Sequence, residues 1–195
     1  MLIVGLDLAG VESRSSGFCV LEGMKVETCL VYRDEEIIQR IEEVKPEVIA
    51  VDAPLSLPPG RKSIEERTNV HLRECDRELL KRGIKFFPIT LGPMRMLTKR
   101  GIKLRKSLGS KGYKVIEVYP GGAQDFWGIP RKQDGLERLR NGLVNLGVEG
   151  LLKRMTGHEL DAVTCALVGK LFLEGKSETF GNPLEGIVMP ASKKF

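Results

Sequence analysis

The sequence contains no long apolar run. None approaches the roughly 18 residues that a membrane-spanning helix needs. It also shows no positively charged leader followed by an apolar stretch, so we expect a soluble, cytoplasmic protein with no membrane partner. Internal repeats and low-complexity segments are absent as well, which argues against any fold built by duplication.

Paired cysteines and aromatic residues are also scarce. The four cysteines include no CxxC pair, and no cluster of His and Cys has the spacing of a zinc site. This pattern argues against zinc and favours small buried residues or free thiols in a reducing compartment. Because aromatic residues make up only 6% of the chain, we predict an aliphatic core.

Length and charge set two broad expectations. A chain of 195 residues predicts a single domain over residues 1–195, with an insertion at about 55–112 and a C-terminal tail at about 175–195. The formal net charge of +5 is compatible with a polyanionic partner, although many ordinary cytosolic proteins carry a similar charge.

The pattern of apolar runs predicts an α/β fold that leans towards α+β. Leu2 to Leu8 is apolar except for Gly5 and Asp7, which is typical of a strand buried on both faces. The other predicted strands lie at residues 18–21, 26–32, 48–54 and 113–120, and the predicted helices at about 34–44, 63–82 and 157–173. We therefore predict a five-stranded mixed sheet, with three antiparallel strands followed by two parallel ones, flanked by helices. Residues 186–189 are a candidate edge strand.

Three predicted strands each carry one acid near the carboxyl end: Asp7, Asp52 and Glu117. If these strands are parallel neighbours, the acids meet at one rim of the sheet, where ligands bind in open α/β sheets. Each acid could instead cap a turn or pair with a basic residue, as Glu117 could with the basic segment before it. A buried carboxylate costs several kcal/mol unless something compensates its charge.

A fourth acid, Asp161, lies in the last predicted helix, on a stripe that also contains His158 and Cys165. Small residues at Ala162 and Ala166 would let this helix approach the sheet closely. Several neighbouring carboxylates require a cation, and oxygen-only ligands suit Mg²⁺ or Mn²⁺. Two such ions about 3.5–4 Å apart can stabilise the attacking and leaving oxygens of a phosphodiester.

The stretch from Arg95 to Lys114 carries eight Lys or Arg residues and no acid. Such a segment fits contacts to a nucleic-acid backbone, and it could equally be a solvated surface. The candidate contacts are Arg95, Lys99, Arg100, Lys103, Arg105 and Lys106. Outside this stretch, Arg73 and Asp76 lie one helical turn apart and are expected to form an ion pair.

Four sequence stretches, in this order, resemble one family. They are Gly5-Leu-Asp-Leu-Ala-Gly10, Val51-Asp-Ala-Pro-Leu55, Val115-Ile-Glu-Val-Tyr-Pro120 and His158-Glu-Leu-Asp-Ala-Val-Thr-Cys-Ala166. The family is the domain-of-unknown-function family 429, a family of predicted nucleases with a ribonuclease H-like fold. The resemblance therefore implies that fold and a nuclease activity.

A more distant resemblance links the chain to RuvC-type junction resolvases. These also begin with a Gly-x-Asp strand, carry an acid on the fourth strand and end with a His-x-x-Asp-Ala helix. The resemblance implies that Asp7, Asp52 and Asp161 are metal ligands, and that His158 contacts the scissile phosphate or helps to activate water. Resolvases commonly have Glu where this chain has Asp52, and Glu117 has no firm counterpart. Their frequent dimerisation implies a homodimer.

The resulting prediction is a Mg²⁺- or Mn²⁺-dependent nuclease that cleaves phosphodiester bonds by in-line attack of water, with DNA and RNA both left open as substrate. Its predicted catalytic residues are Asp7, Asp52, Glu117, His158 and Asp161. One alternative is a non-catalytic nucleic-acid-binding or scaffold protein of the same fold. Another is an ATP-using enzyme of the actin–sugar-kinase type, whose phosphate loop resembles residues 5–10, although the chain shows no second Gly-rich loop.

Overall fold

A seven-stranded mixed sheet forms the centre of the structure, a computed structural model that describes residues 1–191. The strand order is β3-β2-β1-β4-β5-β7-β6, with parallel pairing from β1 through β4 and β5 to β7 and antiparallel pairing elsewhere. The strands are β1 (Leu2–Asp7), β2 (Ser16–Glu22), β3 (Lys25–Val31), β4 (Val48–Asp52), β5 (Val115–Val118), β6 (Ser177–Phe180) and β7 (Ile187–Pro190).

The predicted mixed α/β fold is confirmed, but the sheet has two more strands than predicted. The candidate edge strand at residues 186–189 corresponds to β7, which lies inside the sheet between β5 and β6. The other strand of this hairpin, β6, has only four residues and is too short to show a periodic pattern, so it was not predicted. Residues 192–195 of the predicted C-terminal tail lie outside the described residues.

Helices cover both faces of the sheet. The helix α6 packs on one face against β1, β2 and β4, while α1 and α3 cover the other face. The α-helices are α1 (Asp34–Val44), α2 (Glu74–Lys81), α3 (Gly92–Ser110), α4 (Pro120–Trp127), α5 (Leu136–Asn145) and α6 (Gly157–Leu173), and a short 3₁₀ turn covers Lys132–Asp134. Within the described residues, no helix is both long and apolar enough to cross a membrane.

The predicted helix at residues 63–82 is wrong over its first half. Helix α2 begins only at Glu74, and the preceding loop winds around the side chain of Arg61. The Arg61 guanidinium donates hydrogen bonds to the backbone carbonyls of Ile64, Glu66 and Val70. These hydrogen bonds satisfy backbone carbonyls that would accept from backbone N–H groups if the segment were helical. An arginine that organises a loop in this way leaves no periodic pattern in the sequence, so the loop could not be predicted.

Glycines bring the backbone of α6 into direct contact with the sheet. A Cβ atom on Gly5 of β1 would lie 2.0 Å from the carbonyl oxygen of Ala162. A Cβ atom on Gly17 of β2 would lie 2.0 Å from the carbonyl oxygen of His158. Real side chains do not approach a backbone this closely, so only glycine fits at either position. The first turns of α6 therefore lie against β1 and β2 near the rim where β1 ends.

Candidate metal centre

Three aspartates meet at the carboxyl ends of β1 and β4. Asp7 ends β1 and Asp52 ends β4, and the two residues are paired in the parallel register of these strands. Asp161 reaches the same rim from α6. One carboxylate oxygen from each lies within 4.8 Å of the others, and this is the one such group of three metal-ligating residues within residues 1–191.

Strand alternation explains why Asp7 and Asp52 point to the same side. Successive side chains of a strand face opposite sides of the sheet. On β1, Gly5 contacts α6, so Asp7, two residues later, faces α6 as well. On β4, Ala50 packs in the cluster that includes α6, and Asp52 again lies two residues later. Both carboxylates therefore face the helix that carries Asp161.

A lysine and a histidine contact two of the three aspartates, Asp7 and Asp161. Lys132, in the 3₁₀ turn before α5, places Nζ 2.7 Å from Oδ2 of Asp161 and 3.4 Å from Oδ2 of Asp7. His158 places Nδ1 2.8 Å from Oδ2 of Asp7. Gln124 of α4 donates from Nε2 to Asp161, at 2.8 Å, and to the Thr164 hydroxyl. Sequence reasoning identified His158 but missed Lys132 and Gln124.

Burial and mutual repulsion raise the pKa of two of these carboxyl groups. Burial raises the pKa of Asp52 well above its usual range, and the charges of Asp7 and Asp161 raise it further. Burial also raises the pKa of Asp161, although Lys132 and the Gln124 hydrogen bond oppose that effect. Burial opposes the charge of Lys132, but its acidic neighbours outweigh that effect and raise its pKa. Two carboxyl groups thus have raised pKa values, and within residues 1–191 the ammonium that pairs with the cluster is that of Lys132.

These residues fit a divalent cation. The donor set consists of carboxylate oxygens, which suits Mg²⁺ or Mn²⁺ better than softer metals. The oxygens lie close enough to share a cation. Burial and the neighbouring charges of Asp7 and Asp161 raise the pKa of Asp52, so its ionised form is disfavoured in the protein alone. A bound cation would favour the ionised form.

Because the pKa of Asp52 is raised, we can predict how Asp52→Asn changes the stability of the metal-free protein. A carboxyl group whose pKa is raised by folding binds its proton more tightly in the folded state, so stability falls as the pH rises above about 4, its unfolded pKa. Asparagine removes this loss. We expect the variant to be more stable than the parent at pH 8 in EDTA, because the parent must keep a buried carboxyl group ionised at this pH. Urea denaturation at pH 8 and pH 5 should show the gain shrinking at the lower pH, and a gain that does not change with pH would contradict this account.

The structure does not bring Glu117 to the three aspartates. In the parallel register of β4 and β5, Glu117 pairs with Val51, so it faces the opposite side of the sheet from Asp52. Its carboxylate forms a buried bidentate pair with Arg73, at 2.7 and 2.8 Å, and accepts a hydrogen bond from the Leu55 amide. Arg73 also forms the expected ion pair with Asp76, at 2.9 Å.

The basic segment divides into two groups on α3. The arginines have intramolecular partners: Arg100 is buried against Asp34, Arg95 pairs with Glu65, and Arg105 donates to the carbonyls of Leu55 and Leu184. The lysines Lys99, Lys103 and Lys106 are exposed. Of these, Lys103 contacts Asp34 at 3.1 Å while keeping 70% of its side chain exposed. Their spacing places all three on one face of the helix.

Comparisons with known proteins agree with this architecture. A model of the family described as protein of unknown function (DUF429) matches residues 5–185. Among solved structures, the Thermus thermophilus RuvC structure is similar, with a TM-score of 0.50 and 14% sequence identity, covering 97% of this chain and 100% of that one. At this identity the likeness concerns the fold alone, and it confirms the predicted ribonuclease H-like fold. No curated protein matches the sequence.

Proposed function

The chain belongs to the DUF429 family, and from its cluster of three aspartates we propose that it is a divalent-metal-dependent nuclease. The observation that carries this proposal is the meeting of Asp7, Asp52 and Asp161 within 4.8 Å at one rim of the sheet. The reaction we assign is hydrolysis of phosphodiester bonds in nucleic acid by in-line attack of water. The assignment also agrees with the resemblance of the sequence to RuvC-type resolvases, which implies that Asp7, Asp52 and Asp161 are metal ligands.

The three aspartates would hold Mg²⁺ or Mn²⁺. When bound, the ions supply positive charge that stabilises the attacking and leaving oxygens of the phosphodiester. Lys132 adds a fixed positive charge that orients Asp7 and Asp161. Because Gln124 donates to both Asp161 and Thr164, it holds the Asp161 carboxylate in one orientation.

His158 is the residue we assign to proton transfer or phosphate contact. Its Nδ1 is hydrogen-bonded to the Asp7 carboxylate, and that contact fixes the ring and leaves Nε2 for the substrate. The side chain is 47% exposed, so it can reach a phosphate or a water molecule above the rim. Glu117, which is held by Arg73, has a positioning role in this proposal: it holds the Leu55 amide in the loop that follows Asp52.

The exposed lysines of α3 are the proposed contacts to the nucleic-acid backbone. Because such contacts release counterions, replacing Lys99, Lys103 and Lys106 together with Gln should weaken binding about equally for different sequences. We expect the slope of log K against log salt to fall by up to about 3. Binding titrations at several salt concentrations measure this slope. The control is the triple replacement with Gln of three exposed lysines outside α3, namely Lys25, Lys45 and Lys153. An equal loss of binding and of salt dependence in the control would contradict the assignment.

Metal titration followed by a cleavage assay tests the proposed function. Ligands that bind only the native state stabilise it, by about 2.7 kcal/mol at 100 times the dissociation constant. We expect Mn²⁺ to raise the unfolding temperature and to support cleavage of fluorescent DNA or RNA. Stabilisation without cleavage would favour the non-catalytic binding protein. If Mn²⁺ changes neither stability nor activity, the proposal is wrong.

A further inference from the structure

A cavity of about 280 Å³ opens directly beside the aspartate cluster. Asp52, Asp161 and Lys132 form part of its wall. Other parts of the wall come from the segment before α3, the start of α3, α2, and the residues that follow β5. A molecule in this cavity would therefore lie next to the position that we assign to the scissile phosphate.

Part of the cavity wall is apolar and partly aromatic. These lining residues are Phe86, Phe87, Ile89, Met94 and Leu97. Phe87 is 74% exposed although it is a large aromatic residue, so its ring faces the solvent at the cavity rather than the core. An exposed aromatic ring in a concave site offers a stacking surface for a flat ligand.

Other residues that line the cavity carry hydrogen-bonding groups. Gln133 is exposed and makes no side-chain hydrogen bond to the part of the chain that the structure describes. The guanidinium of Arg131 is held by Asp125 at 2.8 and 2.5 Å and lies over the ring of Tyr119. A ligand that contacts both the apolar and the polar residues would have an apolar face and a polar edge.

The charges around the cavity argue against an anionic occupant. Two of its acids, Asp76 and Glu117, are already paired with Arg73. Asp52 and Asp161 belong to the aspartate cluster, where Lys132 pairs with Asp161. A phosphate would meet these acids inside the cavity, whereas an uncharged aromatic ring would not be repelled.

We propose that this cavity takes one unstacked nucleobase of the substrate, so that the enzyme acts on single-stranded or locally unpaired nucleic acid. The inference rests on the proposed function, because it places the phosphate of the same nucleotide at the aspartate cluster. The base stacks on Phe87 and presents its polar edge to Gln133 and Arg131. A fully paired duplex must first extrude a base, which lowers its affinity.

Binding measured without metal separates this inference from the nuclease activity. The probe is a fluorescein-labelled DNA single strand, compared with the same strand annealed to its full complement, both in EDTA. We expect the parent protein to bind the single strand about tenfold more tightly, the size of effect that one stacked base gives. Phe87→Ala should remove most of that preference. Leu80→Ala, which removes an exposed apolar side chain outside the cavity, should keep it.

Equal affinity for the two probes, no binding of either, or a preference that survives Phe87→Ala would overturn the inference. The same preparations are then assayed for cleavage in Mn²⁺. Cleavage without strand preference leaves the nuclease assignment standing and rejects the base cavity. A preference that depends on Phe87, without cleavage by the parent protein, keeps the base cavity and rejects the hydrolytic function.

Discussion

Asp7→Asn is expected to abolish metal-dependent cleavage while leaving the fold intact. Even residues that only orient a metal ligand contribute about 10- to 100-fold, so the loss of a ligand should exceed about 100-fold. Asparagine has nearly the same shape, keeps an oxygen that can accept from His158 Nδ1 and removes a charge from a crowded acidic cluster. The stabilisation by Mn²⁺ should disappear together with the activity.

The control for Asp7→Asn is Glu22→Gln, which removes an exposed carboxylate from the far end of the neighbouring strand. Glu22 pairs with Leu2, which begins β1, whereas Asp7 ends that strand. We expect this variant to cut at the parental rate and to retain the thermal shift with Mn²⁺. If Asp7→Asn cuts as fast as the parent, the aspartate cluster is not the catalytic centre.

Arg73→Met is expected to produce the largest loss of stability. The Arg73 side chain is buried and offsets two carboxylates that are themselves buried, Asp76 and Glu117. Removing one partner of a buried ion pair leaves uncompensated charge and typically costs about 3–5 kcal/mol. Urea denaturation should show this loss as a lower free energy of unfolding.

Lys81→Met provides the matched control for Arg73→Met. Lys81 pairs with Glu78 on the surface of α2, where ion pairs contribute about 0–1 kcal/mol. The double variant Arg73→Met/Glu117→Gln should regain part of the lost stability, because one of the buried charges is removed. Equal losses from Arg73→Met and Lys81→Met would show that the buried network contributes no more than a surface pair.

The sequence predicted much of the aspartate cluster because its members follow simple patterns. Asp7 and Asp52 end apolar runs, and such runs are typical of central strands. Asp161 lies in a helix with an apolar stripe, and the small residues beside it indicated a close approach to the sheet. The confirmed fold therefore depended on patterns within single elements.

Features that depend on pairing between elements could not be predicted. Glu117 ends its strand as Asp7 and Asp52 do, but the register between β4 and β5 turns its side chain to the other face. Arg100 looked like its basic neighbours, and only the fold places Asp34 beside it. Lys132 and Gln124 reach the aspartates from a turn and a helix whose positions no local pattern specifies.

The glycines beneath α6 determine how closely Asp161 approaches the two strand aspartates. At Gly5 and Gly17 the main chains of strand and helix touch without any intervening side chain. The separation between Asp161 and the strand aspartates is therefore set by rigid backbones, and rotamer changes in the core do not alter it. A single added methyl group at either glycine would therefore push the helix from the sheet and spread the three carboxylates apart.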